Sequence, residues 1–322
     1  MPDRAQQIGS LERLHWLKAS TSFRDLPPAD LTVLANTAVE RLTQRGRRIF
    51  NAGEPVPGVL LLVEGMIQAR RGRYMHPVPP GTAIGLLELC AGDEMGLEAV
   101  STTETLSLGF TADVFLDVLE DHFSIYRHIL RRVCALRIEQ GGDVEWGGRP
   151  SGKPGGSNPA MLAVTEGAGQ LDLVQRIVHL RRAFPFARGR LSAVAELAQN
   201  VAEVTLASGQ AAWKEGDAAD HLLLLVRGSL ACEVRREAVT ERFTYDPGAV
   251  AGTLEAIEGT ARWFSAAAGS SGALALRLDV EHLLDVFEDN FETARDYLAW
   301  QSRRALAIIR ESADVPLSMH PV

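Results

Sequence analysis

The segment GTLEAIEGTARWFSAAA, Gly252 to Ala268, sets one arginine, Arg262, among small and apolar residues after a Gly-Thr-Ala turn. A guanidinium presents a planar fork of N–H donors that matches an oxyanion. Arg262 is therefore either an anion anchor or a solvated loop residue. Few other residues are spaced for chemistry. The eight histidines (15, 76, 122, 128, 179, 221, 282 and 320) include no pair two to four residues apart, so no zinc spacing is present. No nucleophile elbow, phosphate loop or dinucleotide fingerprint occurs. Catalytic and metal-ligating candidates are absent from the sequence, which gives no sign of an enzyme or of a bound cofactor.

Composition narrows the setting. A chain of 322 residues has room for two ordinary domains with real cores. Its formal charge of −8 disfavours non-specific contact with nucleic acid or an anionic membrane. Cys90, Cys134 and Cys232 are scattered and odd in number, which is no disulfide framework. Buried free thiols in a reducing cytosol, hence a cytoplasmic protein, are expected. The N-terminal stretch has no apolar core of a signal peptide. The longest aliphatic runs, VLLLV at 59–63 and LLLLV at 222–226, are too short to span a bilayer and read as buried strands.

Residues 141–159, GGDVEWGGRPSGKPGGSNP, carry seven glycines and three prolines and read as a flexible linker. The flanking halves match each other. GEPVPGVLLLVEGMI from Gly53 aligns with GDAADHLLLLVRGSL from Gly216. PGTAIGLLEL from Pro80 parallels PGAVAGTLEA from Pro247, and LDVLEDHF from Leu116 parallels LDVFEDNF from Leu284. Three matches in series indicate a tandem duplication. The expected organisation is a first domain over 10–140, the linker, a second domain over 160–312, and a tail over 313–322. Each copy begins with amphipathic helix, continues as short strands broken by glycine turns, and ends in helix. The expected fold class is α+β, with two tandem β-jelly-roll barrels and flanking helices.

The repeated string, with its Gly, aliphatic strand, Gly, Pro-Gly and Gly-x-Leu helix turn, resembles the cyclic nucleotide-binding domain. That family includes the catabolite activator protein and, in tandem, the regulatory subunits of cAMP-dependent protein kinase. The resemblance implies a phosphate-binding cassette of the form Gly-Glu-Leu-Ala-Leu followed by Pro-Arg-Ala-Ala-Thr. In it the arginine pairs with the cyclic phosphate, helix amides assist, and the glutamate accepts from the ribose hydroxyl.

In the second copy Gly252 falls on the cassette glycine, Leu254 on its leucine, Arg262 on its arginine and Ser265 on its Ser/Thr. Thr253 stands in place of the glutamate. Trp263 and Phe264 replace the two alanines, so whether a ring fills the pocket beside Arg262 becomes the deciding question. Glu255 lies about 200° around a helix from Thr253 and is expected to face away from the ligand side. In the first copy the cassette reduces to Gly85, Leu86, Leu87 and Glu88, and the arginine position falls near Met95 to Leu97. Between Tyr74 and Tyr126 there are nine acids and no lysine or arginine, so this site is not expected to hold a cyclic nucleotide in the family's way.

Two functional readings stay open. In one, the chain is a non-enzymatic regulatory protein with degenerate cassettes that acts through a protein partner or through self-association. In the other, the second domain senses a cyclic nucleotide or related small anion through Arg262 and signals through its C-terminal helices. The helix FETARDYLAWQSRRALAIIRE is the candidate association element. No helix-turn-helix follows it, so direct DNA binding is not expected.

Overall fold

The aliphatic runs become central strands because both of their faces are covered. In the computed structural model the described residues are 8–93, 96–140, 170–183, 186–236 and 239–311. The linker over 141–159 and the tail over 313–322 lie outside them. The chain divides into two compact units, Met1–Leu136 with Leu298–Val322, and Arg137–Tyr297. Both mix helix with antiparallel sheet.

Unit 1 opens with helices α1 (Ser10–Ala19) and α2 (Pro28–Thr37). Strands β1 (Val39–Thr43), β2 (Arg48–Phe50), β3 (Gly58–Glu64), β4 (Ile67–Arg71), β5 (Tyr74–Val78) and β6 (Ala83–Ile84) follow. A short helix α3 (Leu86–Ala91) precedes β7 (Glu98–Ser101) and β8 (Thr105–Thr111), and then come α4 (Ala112–Asp121) and α5 (Phe123–Glu139). Two four-stranded sheets result, ordered β1-β8-β3-β6 and β2-β7-β4-β5. Along β3, Leu60 and Leu62 join the core cluster of Phe50, Ile67, Ala69, Val78, Ile84 and Leu97. Val59, Leu61 and Val63 alternate with them and are equally buried. Helices α3 and α4 pack against this strand. A strand covered on both faces must read as a continuous apolar run.

Unit 2 repeats the order. It has α6 (Leu173–Arg182), α7 (Leu191–Asn200), β9 (Ala202–Leu206), β10 (Ala211–Trp213), β11 (His221–Arg236), β12 (Val239–Tyr245) and β13 (Val250–Ala251). Helix α8 (Thr253–Glu258), strand β14 (Ser265–Asp279), α9 (Val280–Asp289) and the start of α10 (Phe291–Glu311) complete it, and α10 from Leu298 onward belongs to unit 1. The pairing scheme matches unit 1 strand for strand, with β11 standing for β3 plus β4 and β14 for β7 plus β8. The glycines that open the two matched repeats' second half, Gly65 and Gly228, both have positive φ, and a Cβ on either would strike a facing carbonyl oxygen, of Glu104 or of Gly272.

The expected closed barrels are not formed. In unit 1 the path breaks between β3 and β4 and between β7 and β8, which leaves two separate open sheets. In unit 2 the same path runs unbroken through register shifts at Leu225/Arg227 and Gly228/Leu230, giving one bent six-stranded sheet with free edges.

A repeated arginine clamp holds the leading helices to the first strand of each unit. Arg13 donates from Nε to the Ile8 carbonyl at 3.1 Å, from Nη1 to the Ala38 carbonyl at 2.9 Å, and from Nη2 to Glu40 Oε1 at 2.8 Å. Arg176 does the same to the Leu171 and Val201 carbonyls, at 3.1 and 3.3 Å, and to Glu203 Oε1 at 3.1 Å. The paired residues all stand at one constant separation in the sequence. Five donors in a rigid fork let one arginine tie three acceptors together.

Four imidazoles sit where burial holds them below the ordinary value of 6.5, namely His76, His128, His179 and His221. Protonation therefore costs more in the folded chain than in the unfolded one. Their contribution to stability is complete above pH 6.5 and is lost as the pH falls through their folded values. Thermal melts should give a level Tm above about pH 7 and a falling Tm from there towards pH 5. His128→Gln, which keeps a donor for the Ser22 carbonyl that Nε2 meets at 3.1 Å, should make that fall shallower; an unchanged slope would exclude His128 as a contributor.

Candidate functional site

Helix α8 is bracketed by Gly252 and Gly259, both left-handed at φ 79° and 85°. It has little over one turn, and Thr253, Leu254, Glu255, Ala256 and Ile257 are all buried. No solvated face is left for Glu255, which is 1% exposed. The expectation that Glu255 faces away from the site is thus overturned. Its carboxylate turns to the nearest buried cation, and Arg262 Nη1 donates to Glu255 Oε1 at 3.1 Å.

The two terminal nitrogens carry further bonds, while Nε has no acceptor. Nη1 also donates to the Gly252 carbonyl at 2.9 Å, and Nη2 donates to the His221 carbonyl in a short contact. The Trp213 ring lies under the guanidinium carbon at 4.2 Å, a cation–π contact. The Arg262 side chain is completely buried. Its main chain is pinned too, with its N–H to the Asp217 carbonyl and its carbonyl to the Gly216 N–H, each at 2.8 Å. A Cβ at Gly252 would come within 2.3 Å of Arg262 Nη1, so the cassette glycine is what lets the arginine lie against the helix.

Trp263 and Phe264 form a bend rather than a strand, so neither is obliged to point outward. Phe264 is 1% exposed and sits inside the core cluster. Its ring centroid is 5.5 Å from Trp213, 5.2 Å from Phe243 and 6.3 Å from Tyr245. Trp263 is partly buried and stacks on Phe243 at 6.2 Å. The ring that touches the Arg262 guanidinium is Trp213, and Phe264 packs on Trp213 in turn. Thr253 is buried, and Ser265 accepts from the Glu215 N–H at 2.9 Å. Ser265 also lines an open hollow of about 500 Å³ with Lys214, Glu215, Gly216, Glu233 and Arg235. Arg262 does not line it.

Unit 1 carries the same kind of pair, assembled differently. Gly85, at φ 84°, starts α3, where Leu86, Leu87 and Glu88 are all buried. Glu88 Oε1 accepts from Arg71 Nε at 2.7 Å and lies 2.7 Å from Arg71 Nη2. The two side chains are 3% and 0% exposed. Glu88 Oε2 has no hydrogen-bond partner. Met95, at the arginine position, lies outside the described residues, and the following Leu97 is fully buried in the core. Burial, with Glu88 nearby, pushes the Cys90 thiol up to about 12, so it is no nucleophile at neutral pH.

Arg71 escapes a search for an arginine after the cassette, because it precedes the cassette on β4. The signal was there in the alternation Ile67, Ala69, Arg71, which puts an arginine on the inward face of a strand. Such a residue needs a buried acceptor.

No protein family and no curated protein matches the sequence. Solved structures do match over much of the chain. The regulatory domain of Toxoplasma gondii PKA with cAMP is 13% identical, with 94% of this chain and 99% of that one covered at a TM-score of 0.35. The regulatory subunit of a cAMP-independent protein kinase A from Trypanosoma brucei is 14% identical, with 94% and 98% covered at 0.34. The N-terminal domain of a transcriptional regulator from Streptomyces coelicolor A3(2) is 25% identical over 40% of this chain and 89% of that one, at 0.34. Superpositions this loose carry no argument about fold or function. Among the described residues no group of three or more His, Cys, Asp or Glu could hold a metal ion, and no helix is long and apolar enough to cross a membrane.

Removing one partner of a buried pair leaves an uncompensated charge. Arg71→Ala should therefore lower unfolding stability by about 3–5 kcal/mol in urea titrations. Arg71→Met combined with Glu88→Leu should cost much less, and equal losses in the two variants would show that the pair is not coupled.

Proposed function

We propose that the chain is a non-enzymatic regulatory protein of two tandem cyclic nucleotide-binding-like domains, over 10–140 and 160–312, each a jelly roll opened along its edges. Gly252, Thr253, Leu254, Arg262, Trp263, Phe264 and Ser265 in the second domain, and Gly85, Leu86, Leu87 and Glu88 in the first, are its degenerate cassettes. It works in the cytosol through a protein partner or a second copy of itself, with no part for DNA or a membrane. Neither domain takes cAMP or cGMP in the family's way.

One observation carries this reading. The Arg262 fork already holds a carboxylate oxygen and two carbonyl oxygens in a dry site, with Phe264 packed in the adjoining core. A cyclic phosphate offers only acceptors of the same kind. To take the terminal nitrogens it would have to displace these acceptors and reach a side chain that has no exposure. Arg262 on a cassette register keeps the sensor alternative testable rather than favoured.

Calorimetric titration of the wild type and Arg262→Ala with cAMP, cGMP and cyclic dinucleotides decides between them. The expected result is no saturable heat for either protein up to about 1 mM, a level at which binding would be worth only about 4 kcal/mol. Micromolar binding by the wild type that disappears in a folded Arg262→Ala variant would establish the sensor instead.

A further inference from the structure

We infer that each cassette keeps a working oxyanion seat and that the chain's own glutamate is the resident ligand, Glu255 in unit 2 and Glu88 in unit 1. The ligand class of the seat is a single small carboxylate. The inference rests on the reading that these helices are degenerate cassettes, and it says what fills them.

The carboxylate holds one place in both units. It is the third residue of a short buried helix entered through a left-handed glycine, Gly85 or Gly252. The arginine does not hold one place. In unit 1 it ends β4, at a position whose counterpart in unit 2 is Val234, part of the apolar core. In unit 2 it follows α8, at a position whose counterpart in unit 1 is Met95. The cation has moved from a strand to the segment between α8 and β14 while the anion has stayed, and in both units the two meet with almost no exposure. A seat defined by its occupant, and served by whichever arginine reaches it, accounts for this exchange. A pair kept for one fixed packing contact does not.

Shortening the glutamate should then leave a buried guanidinium with an empty acceptor position and a void about the size of the lost group. Formate and acetate supply the missing carboxylate and little else. Chloride supplies charge without the two-oxygen geometry that an arginine fork matches.

The test uses the full chain with Glu255→Ala, melted in sodium formate, sodium acetate or sodium chloride at equal ionic strength. The variant should melt well below the wild type in chloride. Formate should raise its Tm by several degrees, saturating in the millimolar range, while the wild type is unmoved. Glu255→Ala combined with Arg262→Met should show no difference between formate and chloride. If Glu255→Ala folds only when formate is present, that is the same positive result. An equal response to formate and chloride, an equal formate gain in the double variant, or failure to fold in every salt would each overturn the inference. Glu88→Ala, with Arg71→Met added as its control, repeats the test independently in unit 1. Cyclic nucleotide binding by the wild type would defeat the proposed function whatever formate does. A missing formate response defeats only the seat.

Discussion

A guanidinium without water must be surrounded by acceptors, and that requirement organises both cassettes. An unpaired buried charge costs several kcal/mol. Arg262 meets the requirement at its two terminal nitrogens with one carboxylate oxygen, two carbonyl oxygens and the face of an indole, and leaves only Nε without an acceptor. Each acceptor constrains its own surroundings. The Gly252 carbonyl is available because its residue takes a left-handed turn that no side chain obstructs. The His221 carbonyl is available at the very start of β11. Trp213 reaches the site from the end of β10, and Phe264 packs against Trp213 from the other direction. Helix, two strands and an aromatic cluster thus converge on one cation. The same logic binds α3 to β4 through Arg71 and Glu88, with fewer acceptors and one carboxylate oxygen unsatisfied.

Around these pairs the scaffold is spare. The strands that carry the aliphatic runs are coated on both sides, so the sheets need no closure to hide their interior. Bends are made by glycines that tolerate positive φ and by register shifts rather than by chain breaks in unit 2. The leading helices are fastened by an arginine whose three acceptors recur in both units. That clamp and the pair inside the cassette use one chemistry for two tasks. The first is partly wet and reaches over the strand end, whereas the second is dry and central.

Much of this was legible as sequence. Glycines at matched places, such as Gly65 and Gly228, mark turns that only glycine makes, and two aliphatic runs can hardly be anything but covered strands. Arg262 was legible as an arginine in search of an oxyanion. Its partner was not. Helical periodicity puts Glu255 on the side opposite Thr253, and that rule assumes a helix with a wet side. A helix buried all round has none, so charge pairing rather than amphipathic pattern sets the direction of Glu255. Arg71 was hidden for a different reason. Strand alternation placed it inward, but its acceptor lies beyond a hairpin and a turn, and such a pairing is written in topology rather than in local spacing. The openness of the sheets was equally invisible, because strand composition does not report whether two edges meet.

The two ion pairs also differ in how much chain must be in place before they can form. Arg262 and Glu255 are separated by 7 residues, and Arg71 and Glu88 by 17. Closing the shorter loop costs less entropy and needs only one helix and one turn to have condensed. Closing the longer one needs the β4–β5 hairpin and the strand after it to be laid down first. Two units with the same strand order thus close their cassette pairs at different loop costs, the second across one helix and a turn and the first across a hairpin and the strand after it.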